Sequence, residues 1–167
     1  MRTGCARGFG QVMAMMSDVM TDVDVRRATP ADLGACAAIV NADIDQRDFM
    51  PRTQSAAAIS AMFVPSLLED RVMLVAERAG RVVGYLSSMR AGDVRGFYVL
   101  AQAQGAGVGQ ALMDRAKAEF PDGLRLTVYV SDQRARAFYE RQGFGETGGV
   151  SIDEEGMPIM HLSWLPK

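Results

Sequence analysis

Apolar positions along the chain recur with two periods, and the switches between them mark the elements. Val23 and Val25 alternate with Asp24 before an Arg pair, which predicts a short strand. Thr29-Pro30-Ala31-Asp32 then carries the marks of a helix start. Thr29 can accept at the N-cap, Pro30 suits the first helical position, and Asp32 favours the positive helix end. Leu33, Cys36, Ala37 and Val40 follow at helical spacing. The polar stretch from Asp43 to Arg52, with Phe49-Met50-Pro51 inside it, reads as a loop. Thr53 opens a second helix with Ala58, Ile59, Met62 and Phe63 on one face, stopped near Pro65.

The middle of the chain changes to strand patterning. Residues 72–77 and 81–89 flank Arg78-Ala79-Gly80, a hairpin signal, and Ala91-Gly92-Asp93 turns the chain into a third run, 94–100. A glycine-rich stretch follows, and a helix leaves it with Val108, Ala111, Leu112, Ala116 and Phe120 on one face, ended by Pro121-Asp122-Gly123. Residues 124–130 alternate as a strand. Ser131 or Asp132 caps a helix bearing Ala135, Phe138 and Tyr139, and Gly143 is placed to end it in a left-handed turn. Strands over 144–152 and 157–164 flank the acidic turn Asp153-Glu154-Glu155-Gly156. Residues 1–20 have no such order. They read as an extension outside a domain spanning 21–167, with a short amphipathic helix docked on that domain as the rival reading.

Composition narrows the field. The 167 residues are 49% hydrophobic and 23% charged, enough for one domain with a real core. A net charge of −2 argues against a nucleic-acid partner. No run is long enough for a transmembrane helix, so no membrane partner is expected. Cys5 and Cys36 form neither a disulfide framework nor a metal-ligand set, which fits a reducing cytoplasmic compartment and no metal.

The chemistry lies in the strand–glycine–helix segment. Gln104-Gly105-Ala106-Gly107-Val108-Gly109-Gln110 lets the backbone turn tightly and bring several N–H groups to one point, at the positive end of a helix. That is a cradle for a phosphate-bearing cofactor. It is not a P-loop, for no Lys is near. It is not the dinucleotide fingerprint either: the sixth position is Gln110 counted from Gly105 and Leu112 counted from Gly107.

These residues resemble the GNAT-type N-acetyltransferases. The family's coenzyme A signature, Q/R-x-x-G-x-G/A, is filled by Gln104, Gly107 and Gly109, with Val99 where the family's strand carries Val. A second signature, N-x-x-A-x-x-F-Y followed by G-F, is matched by Asp132, Ala135, Phe138 and Tyr139, then Gly143-Phe144. Asp132 replaces the usual Asn and Ala101 the usual Pro. Asp caps a helix as well as Asn but cannot donate a hydrogen bond when ionised.

The resemblance implies a single α/β (α+β) domain. Its sheet is mixed, largely antiparallel and splayed, with about six or seven strands flanked by about four helices. It implies acetyl transfer from acetyl-CoA, as donor cosubstrate, to an amine acceptor, small molecule or peptide, by direct attack in a ternary complex. The alternative is a CoA-binding module or sensor with little catalysis. A homodimer is left open. Cofactor contacts fall to Val99, the 104–110 loop and Asp132. Tyr139 becomes the acid for the leaving thiolate, against its plainer reading as a core aromatic. For the base, Asp93 and Glu77 read first as solvated strand-end charges, and His161 as a structural strand histidine. Asp43, Asp45, Asp48, Glu154 and Glu155 either draw a cationic amine to the acceptor mouth or are solvated loop charges.

Overall fold

The computed structural model describes residues 22–49 and 51–167. The extension expected over residues 1–20 lies outside the described residues. Strand β1 (Asp24–Arg27) leads through a single 3-10 turn (Pro30–Asp32) into helix α1 (Leu33–Gln46). Two short helices follow, α2 (Ala56–Ala61) and α3 (Leu67–Asp70), then β2 (Arg71–Arg78), β3 (Arg81–Met89) and β4 (Val94–Val99). A second 3-10 turn (Ala101–Ala103) leads to α4 (Val108–Glu119), β5 (Leu124–Tyr129), α5 (Gln133–Arg141), β6 (Gly145–Ile152) and β7 (Pro158–Trp164).

The strands fall into two antiparallel sheets, β1-β2-β3-β4 and β5-β7-β6. Among the described residues they meet at one parallel bridge, Asp93 to Arg125. Beyond it β4 and β5 diverge. Arg125 closes this end: its N–H donates to Gly92 O at 2.8 Å and its Nε to Asp93 Oδ1 at 3.0 Å. Gly92 has φ +88°, and a Cβ there would stand 2.5 Å from Gly123 O, so the approach of the two loops requires glycine.

Strand β2 is buried from Val72 to Ala76 because both of its faces are covered. Val72, Leu74 and Ala76 join Leu112, Met113 and Ala116 of α4 in one core; Met73 and Val75 join Leu33, Cys36, Ile39 and Val40 of α1 in another. Burial pushes the Cys36 thiol up to about 12, so it stays an inert core group. Ala79 and Gly80, both at positive φ, make the two-residue β2–β3 turn. No helix among the described residues is long and apolar enough to cross a membrane.

Thr29 is the N-cap of the first turn and forms a capping box with Asp32, whose carboxylate takes both the Thr29 N–H (2.7 Å) and its O–H (3.0 Å). Asp32 is also gripped by both terminal nitrogens of Arg26, which holds its carboxyl down at about 2. Several boundaries differ from the sequence reading. Helix α1 runs on to Gln46 because Arg52 donates to Asn41 O and to Asp45 Oδ1, tying down its polar last turns. Ser55, not Thr53, caps α2, accepting from Ala58 N–H at 3.1 Å. The end of α5 is held by Lys117, whose Nζ donates to Gln142 O at 2.7 Å and lies 5.1 Å from the centre of the Trp164 ring.

Candidate active site

At one end of the β4–β5 cleft lies the glycine loop. Gln104 Nε2 donates to Val99 O at 3.1 Å and ties the loop to the end of β4. Gly105 (φ +78°) and Gly107 (φ +81°) are left-handed, and a Cβ on either would meet nothing within 4 Å. The backbone can therefore be approached closely from outside. Among the described residues, no backbone acceptor serves the six N–H groups from Gly105 to Gln110; the flanking amides of Gln104 and Ala111 go to Ala101 O and Gly107 O. The row ends in the first turn of α4, where the helix's partial positive charge adds to it. Val108 is buried in the core and contributes its amide, while Ala106 is half-buried. The Gln110 side chain is taken by Asp114 and Gln142. Gly109 differs from its neighbours: a Cβ there would touch Phe97 and Phe138 at 3.5 Å, ordinary contact, so Ala fits and a larger side chain would not.

The cleft holds about 950 Å³ and runs between the diverging strands. Leu100 N–H donates to Val83 O, so strand alternation turns the N–H groups of Phe97 and Val99 to the free edge of β4. Tyr139, 7% exposed, also lines the cleft. Its ring packs on Phe97, Phe138 and Phe144 with centres 5.5 to 6.1 Å apart. The ring is thus core, and Oη has no hydrogen-bond partner among the described residues. Burial raises its pKa well above the ordinary phenol value, so the proton stays on. Phe138 stacks on Phe97 at 5.4 Å. Asp132 lines the cleft too and caps α5, Oδ1 accepting Ala135 N–H at 3.0 Å.

The other end joins Asp43, which the sequence offered as a group to draw a cationic amine, to side chains that sequence reasoning missed. Arg47, just past α1, gives Nε and Nη2 to Asp43 Oδ2 at 2.7 and 2.6 Å. Its guanidinium lies 5.5 Å from the Tyr129 ring centre and 5.9 Å from that of Phe49. Burial lowers the pKa of Arg47, and Asp43, with Tyr98 and Tyr129, more than restores it. Tyr98 and Tyr129 line this end, and burial foremost, with Asp153 and Glu155 beside it, raises Tyr129. The signal for Asp43 and Arg47 was present: they continue the Cys36, Val40 stripe at helical steps.

The other acidic groups are placed plainly. Asp43 and Asp48 line the cleft, joined by Asp153 of the β6–β7 turn, whose Oδ1 accepts the N–H groups of Glu155 and Met157. Asp45 pairs with Arg52, Glu155 accepts the Thr53 hydroxyl, and neither lines the cleft; nor does Glu154. Glu77 is bound by Arg26 on the outer strands, and Asp93 by Arg125 at the closed end. His161 sits on β7 with its ring 2.7 Å from Ser151 Oγ, outside the cleft lining.

Comparison with known proteins agrees with this geometry. The solution structure of apo YjaB from Escherichia coli has a TM-score of 0.69 at 21% identity, covering 87% of this chain and 99% of that one. YncA of Salmonella typhimurium, solved with its cofactor acetyl-CoA, has a TM-score of 0.64 at 21% identity, covering 86% of this chain and 94% of that one. These likenesses concern the fold. Among sequences, peptidyl-lysine N-acetyltransferase YiaC of Escherichia coli is 33% identical over 88 residues, which is 53% of this chain and 60% of that protein. An uncharacterized N-acetyltransferase of Mycobacterium tuberculosis is 34% identical over 98 residues, 53% of this chain and 63% of that protein. The matches thus span less than two thirds of either relative's length. The acetyltransferase (GNAT) domain family matches residues 37–165. This chain belongs to the GNAT acetyltransferase family.

Proposed function

We propose that the chain is an N-acetyltransferase with acetyl-CoA as donor and a primary amine as acceptor, both held in one cleft so that transfer is direct. The observation that carries this most is the row of six amides from Gly105 to Gln110, without a partner among the described residues, opening onto a cleft that contains a buried, protonated tyrosine. Gly105 and Gly107 leave the space before those amides clear, so the cradle fits a diphosphate. When bound there, acetyl-CoA supplies an activated acetyl thioester.

The chain's own residues do the rest. The amides bind the diphosphate, and Gln104 fixes the loop that carries them. Val99 N–H, on the free edge of β4, is a donor for a carbonyl oxygen that gains charge. Phe97 and Phe138 keep water from the middle of the cleft. As the nitrogen–carbon bond forms and the carbon–sulfur bond breaks, Tyr139 gives the proton held at Oη to the departing thiolate, and the proton that the attacking free amine releases on becoming an amide restores the phenol. Asp132, by capping α5, fixes the helix on which Tyr139 stands. A relative named for peptidyl-lysine points to an amine on a peptide as one acceptor to try. The test is a panel of amines and lysine peptides with acetyl-CoA, monitored by free-thiol release. Amine-dependent thiol release is expected. Tight acetyl-CoA binding with no turnover on any amine would favour a binding module instead.

A further inference from the structure

Helix α1 buries Leu33, Cys36, Ala37 and Val40 against the sheet. Asp43 and Arg47 come next on that stripe, at steps of three and four residues. They occupy positions where the pattern calls for apolar side chains, and their side chains are only 28% and 18% exposed. A half-buried ion pair is a poor way to fix a helix, because desolvation offsets its attraction and apolar residues would hold as well. A local rule broken in this way, on the wall of a functional cleft, marks function.

The atoms say which function. Arg47 spends two donors on a single oxygen, Asp43 Oδ2, and rests on the rings of Tyr129 and Phe49. Asp43 is thereby held still, while its other oxygen, Oδ1, has no donor among the described residues. Asp48, Asp132 and Asp153 line the same cleft, as do Arg95, Arg134 and Arg141, but among its cations it is Arg47 that is paired with Asp43, on one oxygen only. Asp43, Tyr98 and the proposed acid Tyr139 all line this one cleft.

We propose that Asp43, clamped by Arg47, is the acceptor-binding and specificity-determining residue of the cleft: its free carboxylate oxygen receives the ammonium of a cationic primary amine. This rests on the acetyl-transfer reading for the place of the acceptor, but not on turnover for its test. The probes are Nα-acetyl-lysine amide and Nα-acetyl-norleucine amide, which share a backbone and differ in the ammonium. Their binding to the protein–CoA complex is measured by calorimetry. The wild type should prefer the lysine compound by at least about tenfold, the ordinary scale of one charge-assisted hydrogen bond. Asp43→Asn should bring the two within about twofold and leave CoA affinity unchanged. The double variant Asp43→Asn/Arg47→Gln, an uncharged pair that can still hydrogen-bond, should do the same and guards against a folding artefact of either change. A clip that only joins α1 to β5 predicts lost thermal stability with the lysine preference intact. Either variant keeping the preference, or a wild type without one, overturns the proposal. Binding of the lysine compound without acetylation would sink the transferase reading alone; acetylation of it with unchanged KM in Asp43→Asn would sink this one alone.

Discussion

At the end of the cleft proposed for the cofactor, six consecutive backbone amides have no backbone acceptor among the described residues; at the end proposed for the acceptor, Asp43 with Arg47, Tyr98, Tyr129 and Asp153 reach in from α1 and the segment after it, β4, β5 and the β6–β7 turn. The first end is specified by seven residues in a row and tolerates most side chains, because amides do not depend on them. The second exists only once the two sheets have come together, and each of its groups is a side chain that one substitution removes. The cofactor end should therefore fail only where backbone shape fails. The acceptor end should respond to each change separately.

The sharpest probe stands between the two ends. Tyr139→Phe keeps the ring packing and removes the proton, so turnover should fall about a hundred- to ten-thousand-fold while acetyl-CoA affinity stays within about twofold. Near-normal turnover would reduce Tyr139 to its core role. Tyr139→Ala, by contrast, should cost about 3 kcal/mol of stability through the cavity it leaves, read by denaturant unfolding. Next in size is Gly107→Val. A branched side chain at φ +81° is strained and projects into the open space before the amides, so acetyl-CoA affinity should drop by two orders of magnitude or about that. Gly109→Ala is its partner: the new methyl finds ordinary contact with Phe97 and Phe138, and affinity should hardly move. Equal losses from both would break the backbone account of this end.

A smaller effect should separate the ends by distance. Asp32, held at about 2 against 3.8 for a free carboxyl, stabilises the fold above about pH 4, and that contribution is lost as pH falls toward 2. Asp32→Asn should cost about 1–2 kcal/mol at neutral pH and flatten the acid limb of the unfolding profile. Because Asp32 starts the helix that carries Asp43, its loss should raise KM for the amine and spare acetyl-CoA affinity. Smallest of all, removing residues 1–19 so that the chain starts at Met20 should leave melting temperature and both affinities unchanged; a clear loss would show that this segment docks.

The same contrast explains what was legible in the sequence. The hairpin at Ala79-Gly80, the cap at Asp132, the turn at Gly143 and the Gln104–Gln110 cradle each depend on neighbours within a few residues, and each is found where local chemistry puts it. The last turns of α1 were not legible as helix. Asp43 to Gln46 is polar but for Ile44 and reads as loop, and what keeps it helical is Arg52 returning to Asn41 O and Asp45. Thr53 lost the α2 cap to Ser55 and instead reaches Glu155, about a hundred residues away. The helical stripe could have placed Arg47 beside Asp43, but its stacking on Tyr129 arises only once α1 and β5 come together. Asp93 and Glu77 stood at strand ends in the pattern, but nothing local announced that Arg125 and Arg26 would claim them.

Lysine usage carries a different kind of consequence. Any protein that keeps acetyl-CoA close exposes its own amines to acetylation, by catalysis or by uncatalysed transfer. This chain carries sixteen arginines and only two lysines, Lys117 and Lys167. Guanidinium groups, always charged at physiological pH, are not nucleophiles for a thioester. Lys117 is engaged with Gln142 O and the Trp164 ring, and acetylating it would strip α5 of the cation at its end. Of the two side-chain amines, that leaves Lys167, at the last position of the chain, as the one open to damage. With two lysines against sixteen arginines, the chain offers an acetyl thioester few side-chain amines of its own.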